Sequence, residues 1–298
     1  MLDIRRVLCP VDFSDASHHA LDHAVMIAGW YRARLTALHV RNPAFLIEPP
    51  ILFAEMGEVP LATLEDIEAR LHQWLAPARA AGIDCDVMAA EGNRPAVAIA
   101  EHATSLAADM MVLGTHGRSG FERLMLGSVT EKVVRSVACP VITVPPPGVA
   151  TSRLPFKRLL CGIDFSEPSL AALRYGFSIA RESGAHVTLM HVAEFPHVYE
   201  IPSERSFDLA RYRHAVQEEA ERQLQQLVTD DVREWSEPET RVVFGKPYEQ
   251  ILGAATKDRD DLIVLGVHGR NRLDQMLFGS TTNQVVRRAT CPVLTLHR

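Results

Sequence analysis

The chain has 298 residues, of which 47% are hydrophobic and 23% charged, and its formal net charge is −6. These proportions are those of an ordinary globular protein, and the negative charge gives no general reason to expect a nucleic-acid or anionic-membrane partner. No apolar run approaches the roughly 20 residues of a membrane-spanning helix, and the N-terminus lacks the apolar segment of a secretory signal. We therefore expect a cytoplasmic protein.

Short apolar runs alternate with longer amphipathic runs along the first half of the chain. This alternation predicts strands at Val7–Val11, Arg34–Val40, Asp84–Ala89, Met110–Leu113 and Pro140–Val144. The helices between them are predicted at Asp15–Tyr31, Leu61–Ala81, Pro95–Ala107 and Val129–Val137. The second half repeats this order from Arg158 to Leu296. We expect an α/β protein with two tandem, open, Rossmann-like parallel sheets, each covered by helices on both faces.

One glycine pattern, G-x2-G-x9-G-S, occurs twice, as GTHGRSGFERLMLGS at 114–128 and as GVHGRNRLDQMLFGS at 266–280. The two copies lie 152 residues apart (266 − 114), and Asp12 and Asp164 have the same separation. A constant separation over most of the chain indicates a duplicated domain. A proline-rich stretch marks the boundary. The predicted domains are therefore 1–146 and 157–298, joined by a linker at 147–156.

Each copy of the pattern supplies three glycines and a serine between a predicted strand and a predicted helix. They are Gly114, Gly117, Gly127 and Ser128 in the first repeat, and Gly266, Gly269, Gly279 and Ser280 in the second. The middle glycine permits a positive φ and a close backbone approach to a ligand. The serine is expected at the helix N-cap, and Ser128 with Glu131 has the sequence of a capping box. Because a helix N-terminus attracts anions, the pattern predicts a phosphate loop; glycines that only form a turn are the alternative.

The pattern differs from both the Walker A motif and the dinucleotide fingerprint, and it has no lysine at the position of a P-loop lysine. These differences favour a protein that holds a nucleotide over an efficient phosphoryl-transfer enzyme. Arg118 and Arg270, which follow the middle glycines, could neutralise a terminal phosphate or be solvated surface residues. His116 and His268 lie in the same loops, where loop geometry or phosphate contact is a better hypothesis than catalysis.

Polar residues also follow the first two predicted strands of each repeat. Asp12 and Asp164 come directly after the first strands, where a carboxylate could accept a bond from a base or ribose or help to hold a metal. The alternative is an Asx-turn into the next helix, with Ser14 and Ser166 sharing the capping. At the ends of the second strands, backbone groups could read an adenine edge, while His39 and His191 could simply be packed and hydrogen-bonded.

Two further features have structural rather than chemical interpretations. The segments after the second strands, 41–60 and 193–207, could be lids over a pocket or variable loops. The five cysteines show no CxxC or Cys/His ligand spacing, so we expect buried, reduced thiols rather than a zinc or redox site.

With these motifs the chain resembles the universal stress protein family in its tandem two-domain form, and the full glycine pattern resembles that of the ATP-binding branch. The markers are Val-Asp-Phe-Ser and Ile-Asp-Phe-Ser after the first strands, the glycine pattern after the fourth, and Cys-Pro-Val at the last. The resemblance covers nearly the whole chain. It implies five-stranded parallel sheets of order 3-2-1-4-5.

The resemblance also implies roles for single residues. Asp12 and Asp164 would contact the nucleoside, and Val40 and Val192 would touch adenine through backbone atoms. The glycines and serines of the two patterns would hold ribose and phosphates, with Val129 beside them in the first repeat. Thr281 takes the place of Val129 in the second repeat and adds a hydroxyl near the phosphates.

The function implied is that of a stress-response regulator that binds ATP with Mg²⁺ in each repeat, although AMP, ADP or another adenine nucleotide would satisfy the same residues. Family members pair through their last strands, which implies pairing of Val141–Val144 with Val293–Leu296 within one chain, with further dimerisation open. A slow Mg-dependent ATPase and a nucleotide-free interaction protein are the alternatives.

Overall fold

Apolar runs form the strands of two parallel sheets, one in each of two units of the computed structural model. The first unit is Asp3–Pro147, and the second contains Gly148–Arg298. The structure describes residues 2–43, 62–115, 126–146, 154–194, 208–267 and 279–296. Among these residues, no helix is long and apolar enough to cross a membrane.

In the first unit, strands and helices alternate as the sequence predicts. The strands are β1 (Arg6–Pro10), β2 (Arg34–Arg41), β3 (Cys85–Glu91), β4 (Met110–Gly114) and β5 (Val141–Val144). The helices are α1 (Asp15–Tyr31), α2 (Leu64–Ala80), α3 (Pro95–Ser105) and α4 (Ser128–Ser136). The five strands are parallel and lie in the order β3-β2-β1-β4-β5.

The second unit repeats this arrangement. Its strands are β6 (Arg158–Gly162), β7 (His186–Ala193), β8 (Glu239–Phe244), β9 (Leu262–Gly266) and β10 (Val293–Leu296). Its helices are α5 (Glu167–Ser183), α6 (Leu209–Leu227), α7 (Asp230–Arg233), α8 (Pro247–Asp258) and α9 (Ser280–Arg288). The order β8-β7-β6-β9-β10, again parallel, confirms the predicted fold class in both units.

The buried residues of the central strands are apolar on both sides of the sheet because helices cover both faces. Val7, Leu8 and Cys9 in β1 and the first four residues of β4 are almost fully buried. Helix α1 packs on this layer through small and aliphatic residues, among them Ala20 and Ile27. Burial of these apolar faces is the main force that holds the helices against the sheet.

The ends of α1 and α5 are set by local residues. Ser14 and Ser166 are the N-caps, and each side chain accepts a hydrogen bond from the backbone N–H three residues later. At the other end the chain turns through a left-handed residue, Arg32 with a φ of 51° and Gly184 with a φ of 65°. Both helices therefore start and stop at equivalent places in the two repeats.

Three details differ from the predictions. Helix α2 begins at Leu64 rather than at Leu61, because Thr63 and Asp66 form a capping box there. The second unit is not an exact copy of the first, since the short helix α7 follows α6. The five cysteines are free thiols; three are buried as predicted, but Cys85 and Cys139 are only half-buried.

Candidate functional site

The strand order reverses between β1 and β4, the place where open parallel sheets bind ligands. In the first unit Asp12 follows β1, Val40 lies near the end of β2, and Gly114 ends β4. The matching residues of the second unit, Asp164, Val192 and Gly266, occupy the same places on β6, β7 and β9. The topology therefore brings these predicted residues to the carboxyl edge of each sheet.

The backbone of the helix after the first strand of each unit, α1 or α5, lies very close to Gly114 or Gly266. A Cβ at Gly114 would stand 3.1 Å from the carbonyl oxygen of Ala16. A Cβ at Gly266 would stand 2.5 Å from the backbone nitrogen of Ser169, closer than a real Cβ approaches. The first glycine of each pattern thus allows α1 or α5 to start directly against the fourth strand, a structural role that the phosphate-loop hypothesis did not include.

A threonine in the first turn of α4 or α9 forms a hydrogen bond to the same glycine. Thr130 Oγ1 donates a hydrogen bond of 2.8 Å to the carbonyl of Gly114, and Thr282 does the same to Gly266. Both threonines are buried. Sequence reasoning missed them, although their constant separation of 152 residues (282 − 130) was a usable signal.

The two ends of each glycine loop are also tied together. The N–H of Gly127 donates to the carbonyl of Thr115 at 2.8 Å, and the N–H of Gly279 donates to that of Val267 at 2.9 Å. The start of α4 or α9 is therefore held at the end of the fourth strand. This arrangement fixes where the first-turn N–H groups of the helix lie.

The N-cap prediction for Ser128 and Ser280 is wrong. Gly127, with a φ of −56° and a ψ of 138°, is the N-cap of α4, and Gly279 takes this position in α9. Ser128 is therefore the first helical residue, too late in the helix to cap it, and the capping box with Glu131 does not form. Glu131 instead binds Arg135 at 2.7 Å. Both helices begin without a side-chain cap, so their first-turn N–H groups have no side-chain partner from the N-cap residue.

Asp12 and Asp164 start the predicted Asx-turns. The Oδ1 atom of Asp12 accepts from the backbone N–H of Ser14 at 3.0 Å and from its hydroxyl at 2.5 Å. The same two bonds, with the same lengths, join Ser166 to Asp164. The structural interpretation of these aspartates is confirmed, and the turn places a carboxylate at the edge of the sheet.

Phe13 and Phe165, which follow these aspartates, have positive φ values of 63° and 62°. This region is disfavoured for a residue with a bulky side chain. Each ring packs on the histidine of the neighbouring strand, with ring centroids 4.8 Å apart for His39 and 4.7 Å for His191. Sequence reasoning missed these phenylalanines.

The two histidines have a backbone partner as well. His39 Nδ1 donates to the carbonyl of Val11 at 2.8 Å, and His191 Nδ1 donates to that of Ile163 at 2.7 Å. These bonds confirm the interpretation of His39 and His191 as packed, hydrogen-bonded residues.

The remaining predicted residues divide into two groups. Val129 and Thr281 are half-buried second residues of α4 and α9, directly after the exposed Ser128 and Ser280. The others lie outside the described residues, namely Gly117, Arg118, Gly269, Arg270, His116 and His268. Most of the two lid candidates, 44–60 and 195–207, also lies outside them. Where the chain is described, no three His, Cys, Asp or Glu side chains are grouped closely enough to hold a metal ion.

Comparison with known proteins places this geometry in a family. A profile described as the universal stress protein family matches residues 3–145 and again 155–297. Universal stress protein Rv2005c of Mycobacterium tuberculosis is 32% identical over 193 residues, which are 63% of this chain and 61%, less than two thirds, of that protein.

Two longer matches cover nearly the whole chain. A universal stress protein of Mycolicibacterium smegmatis is 28% identical over an alignment of 302 positions, which covers 97% of this chain and 95% of that protein. The crystal structure of a universal stress protein from Archaeoglobus fulgidus has a TM-score of 0.67 at 20% identity and covers 100% of both chains. The latter similarity shows the shared fold.

Proposed function

Because the chain belongs to the universal stress protein family, we propose that each of its two repeats binds an adenine nucleotide, ATP with Mg²⁺, and that the chain acts as a nucleotide-dependent stress-response regulator. The observation that carries the proposal is the repeated start of α4 and α9. Each helix lacks a side-chain cap, follows a glycine loop with tied ends, and lies at the switch point of its sheet. Such a helix N-terminus provides N–H groups and a partial positive charge for phosphate.

In the first repeat, the phosphates would lie at the N-terminus of α4, against the backbone of Gly127, Ser128 and Val129. The Ser128 side chain is exposed and does not cap its helix, so its hydroxyl is available to a phosphate oxygen. Gly117 and Arg118 are proposed to contact the phosphates as well.

The nucleoside would lie toward β1 and β2. The Asp12 carboxylate, oriented by its Asx-turn, is proposed to accept hydrogen bonds from the ribose. The backbone of Val40 is proposed to read the adenine edge. The second repeat offers the matching set, which is Asp164, Val192, Gly266, Gly269, Arg270, Gly279, Ser280 and Thr281.

The nucleotide phosphates would bring Mg²⁺ with them, as is usual for this ion, which keeps several waters and binds through few carboxylates. Asp12 and Asp164, at the carboxyl edges of the sheets, are proposed to supply such a contact. A regulator further requires that two conformations of the protein bind ATP with different affinities. We propose binding, rather than efficient turnover, as the function of the two sites.

Calorimetric titration of the full chain with Mg-ATP tests the proposal. The unmodified chain should show one site for each repeat, and Gly117→Ala combined with Gly269→Ala should weaken binding at least about tenfold, because added Cβ atoms keep the backbone from the phosphates. Gly253→Ala is the matched control, since a Cβ there meets nothing within 4 Å. A folded double variant with unchanged affinity would remove the phosphate-loop assignment.

A further inference from the structure

Aromatic and cationic side chains surround Phe13 in the first unit. The Trp74 ring of α2 meets it edge-on, with centroids 5.2 Å apart, and the Arg70 guanidinium of the same helix lies 4.1 Å from the ring centroid. His39 contacts the ring from β2, and His18 of α1 packs edge-on against Trp74 at 4.6 Å. Helix α2 is thereby fixed to the turn that follows β1.

The backbone of Phe13 is the point at which this packing can influence the candidate site. Phe13 stands between Asp12 and Ser14, so the bonds from Ser14 to the Asp12 carboxylate span it. A φ of 63° at a residue with a side chain persists only where its surroundings hold it. If the ring were released, the turn would lose the conformation that places the carboxylate.

The second unit keeps the phenylalanine but not the surroundings provided by α2. Phe165 has the same φ and the same packing on its histidine. The buried positions Ile67, Leu71 and Leu75 of α2 correspond to Ala220, Leu224 and Val228 at the end of α6. This register places Leu227 where the first unit has Trp74, and Gln223 where it has Arg70. Leu170 takes the place of His18.

We propose that Trp74 is a positioning residue for the nucleotide site of the first unit, acting through the ring of Phe13 on the Asp12 carboxylate, with Arg70 in support. This inference rests on the proposed nucleotide function. It makes the two sites unequal, because Leu227 stands at the position of Trp74 in the second unit. A change in the position of α2 would then alter the affinity of one repeat and leave the other unchanged.

A double-mutant cycle in the full chain tests this coupling, with Mg-ATP titration as the readout. Trp74→Leu, the residue of the second repeat, should weaken one of the two sites about tenfold, within the range of energies found for coupled contacting residues. Trp74→Phe should recover most of the loss. In an Asp12→Asn background, which keeps the turn acceptor but removes the charge, Trp74→Leu should add less than about a twofold effect.

Arg70→Gln changes the contact with Phe13 without altering the buried packing of α2, because Arg70 is exposed. It should weaken the same site by about two- to fivefold at most, the size of an exposed cation–π contact. Trp235→Leu is the control in the second unit, where Trp235 packs on Phe177, and it should leave both sites unchanged.

Three results would overturn the inference while leaving the proposed function intact. They are unchanged affinity in Trp74→Leu, equal weakening of both sites, and a Trp74→Leu loss of the same size in the Asp12→Asn background as in the unmodified chain. The last would indicate general destabilisation rather than positioning. An unmodified chain that takes up no adenine nucleotide would instead overturn the proposed function, and this inference with it.

Discussion

Thr130 donates a hydrogen bond of 2.8 Å from its hydroxyl to the carbonyl of Gly114, which joins the first turn of α4 to the end of β4. Thr130→Val keeps the shape of the side chain and removes the donor. We expect the first unit to lose about 1–2 kcal/mol of unfolding free energy, since the carbonyl loses a partner in a largely buried place. Mg-ATP binding at the first site should weaken as well, because the helix start is no longer held.

Thr130→Ser is the control for this experiment because it keeps the hydroxyl. Urea unfolding can be followed in a chain carrying Trp235→Phe, in which the remaining tryptophans, Trp30 and Trp74, both report on the first unit. Equal stability of the valine and serine variants would show that the hydrogen bond contributes nothing measurable.

Gly266→Ala should destabilise the second unit by about 2 kcal/mol or more, as overpacking against fixed backbone does. Its Cβ would lie 2.5 Å from the nitrogen of Ser169, whereas in Gly114→Ala the nearest atom is 3.1 Å away. The cost should therefore be smaller at Gly114. Hydrogen exchange measured by mass spectrometry on peptides of β6 and β9 reports on the second unit alone.

Gly253→Ala in α8 should stabilise the second unit, whereas Gly266→Ala should destabilise it. A Cβ at Gly253 meets nothing within 4 Å, and alanine is favoured over glycine inside a helix by about 0.5–1 kcal/mol. Comparing Gly266→Ala with Gly253→Ala distinguishes a glycine that is required for close packing from one that is not. If Gly266→Ala were as well tolerated as Gly253→Ala, the close approach of α5 to β9 would not be a constraint.

His23 should make the first unit sensitive to acid. Burial lowers the pKa of His23 from 6.5 to about 4, and its Nδ1 is bound to the carbonyl of His19. The unfolded chain therefore binds a proton at a higher pH than the folded one does. The contribution of His23 to the unfolding free energy should be constant above about pH 6.5 and fall as the pH drops from there toward 4, by an amount on the order of 3 kcal/mol.

His23→Asn, which keeps a donor near the Nδ1 position, should remove most of this pH dependence. His214→Asn, at an exposed position of α6, is the control. Urea unfolding between pH 4 and pH 8, with Trp235→Phe as background, measures the slope. A slope that persists unchanged in His23→Asn would assign the acid sensitivity to another group.

Asp260 should make the stability of the second unit depend on pH in the opposite direction. It is 3% exposed, its Oδ2 has no partner among the described residues, and the Arg158 Nε lies 3.8 Å from its Oδ1. Burial raises the pKa of Asp260 from 3.8 to about 7; Arg158 and Arg241 oppose this rise, and Asp258 and Asp261 support it.

The folded second unit therefore keeps a proton on Asp260 that the unfolded chain has released. The contribution of Asp260 to the stability of the unit should be greatest below about pH 4, fall as the pH rises toward 7, and level off above that. Asp260→Asn, a neutral group of the same shape, should flatten this slope and stabilise the unit at neutral pH. Asp230→Asn, at an exposed position, serves as control, and an unchanged slope in Asp260→Asn would contradict the assignment.

The sequence was sufficient to predict the type of most strands and helices, and their order along the chain, because the central strands are buried on both faces and helices such as α1 and α5 have clear N-caps. Helix α1 begins and ends at the predicted residues, with Ser14 as its N-cap. The strand order followed from the family resemblance rather than from any single strand. Helix α7 was missed because a four-residue helix leaves little periodic signal.

At the candidate site, residues with a local role were easier to predict than those with a tertiary role. The Asx-turn of Asp12 spans three residues, so the local sequence contains all of its partners. The role of Thr130 depends on the carbonyl of a residue sixteen positions earlier in the chain. The role of Trp74 depends on Phe13, which lies in the turn after β1 and is far from Trp74 in the sequence. The N-cap error at Ser128 has the same origin, since the bond between Gly127 and Thr115 sets where α4 begins.

The most direct test of the account is the nucleotide content of the freshly purified full chain, released by denaturation and identified by chromatography and mass. The account predicts one adenine nucleotide for each of the two repeats, or uptake to that level when Mg-ATP is added. A chain that carries no adenine nucleotide and takes up no Mg-ATP would contradict it, and would leave the glycine loops as turns that only connect β4 to α4 and β9 to α9.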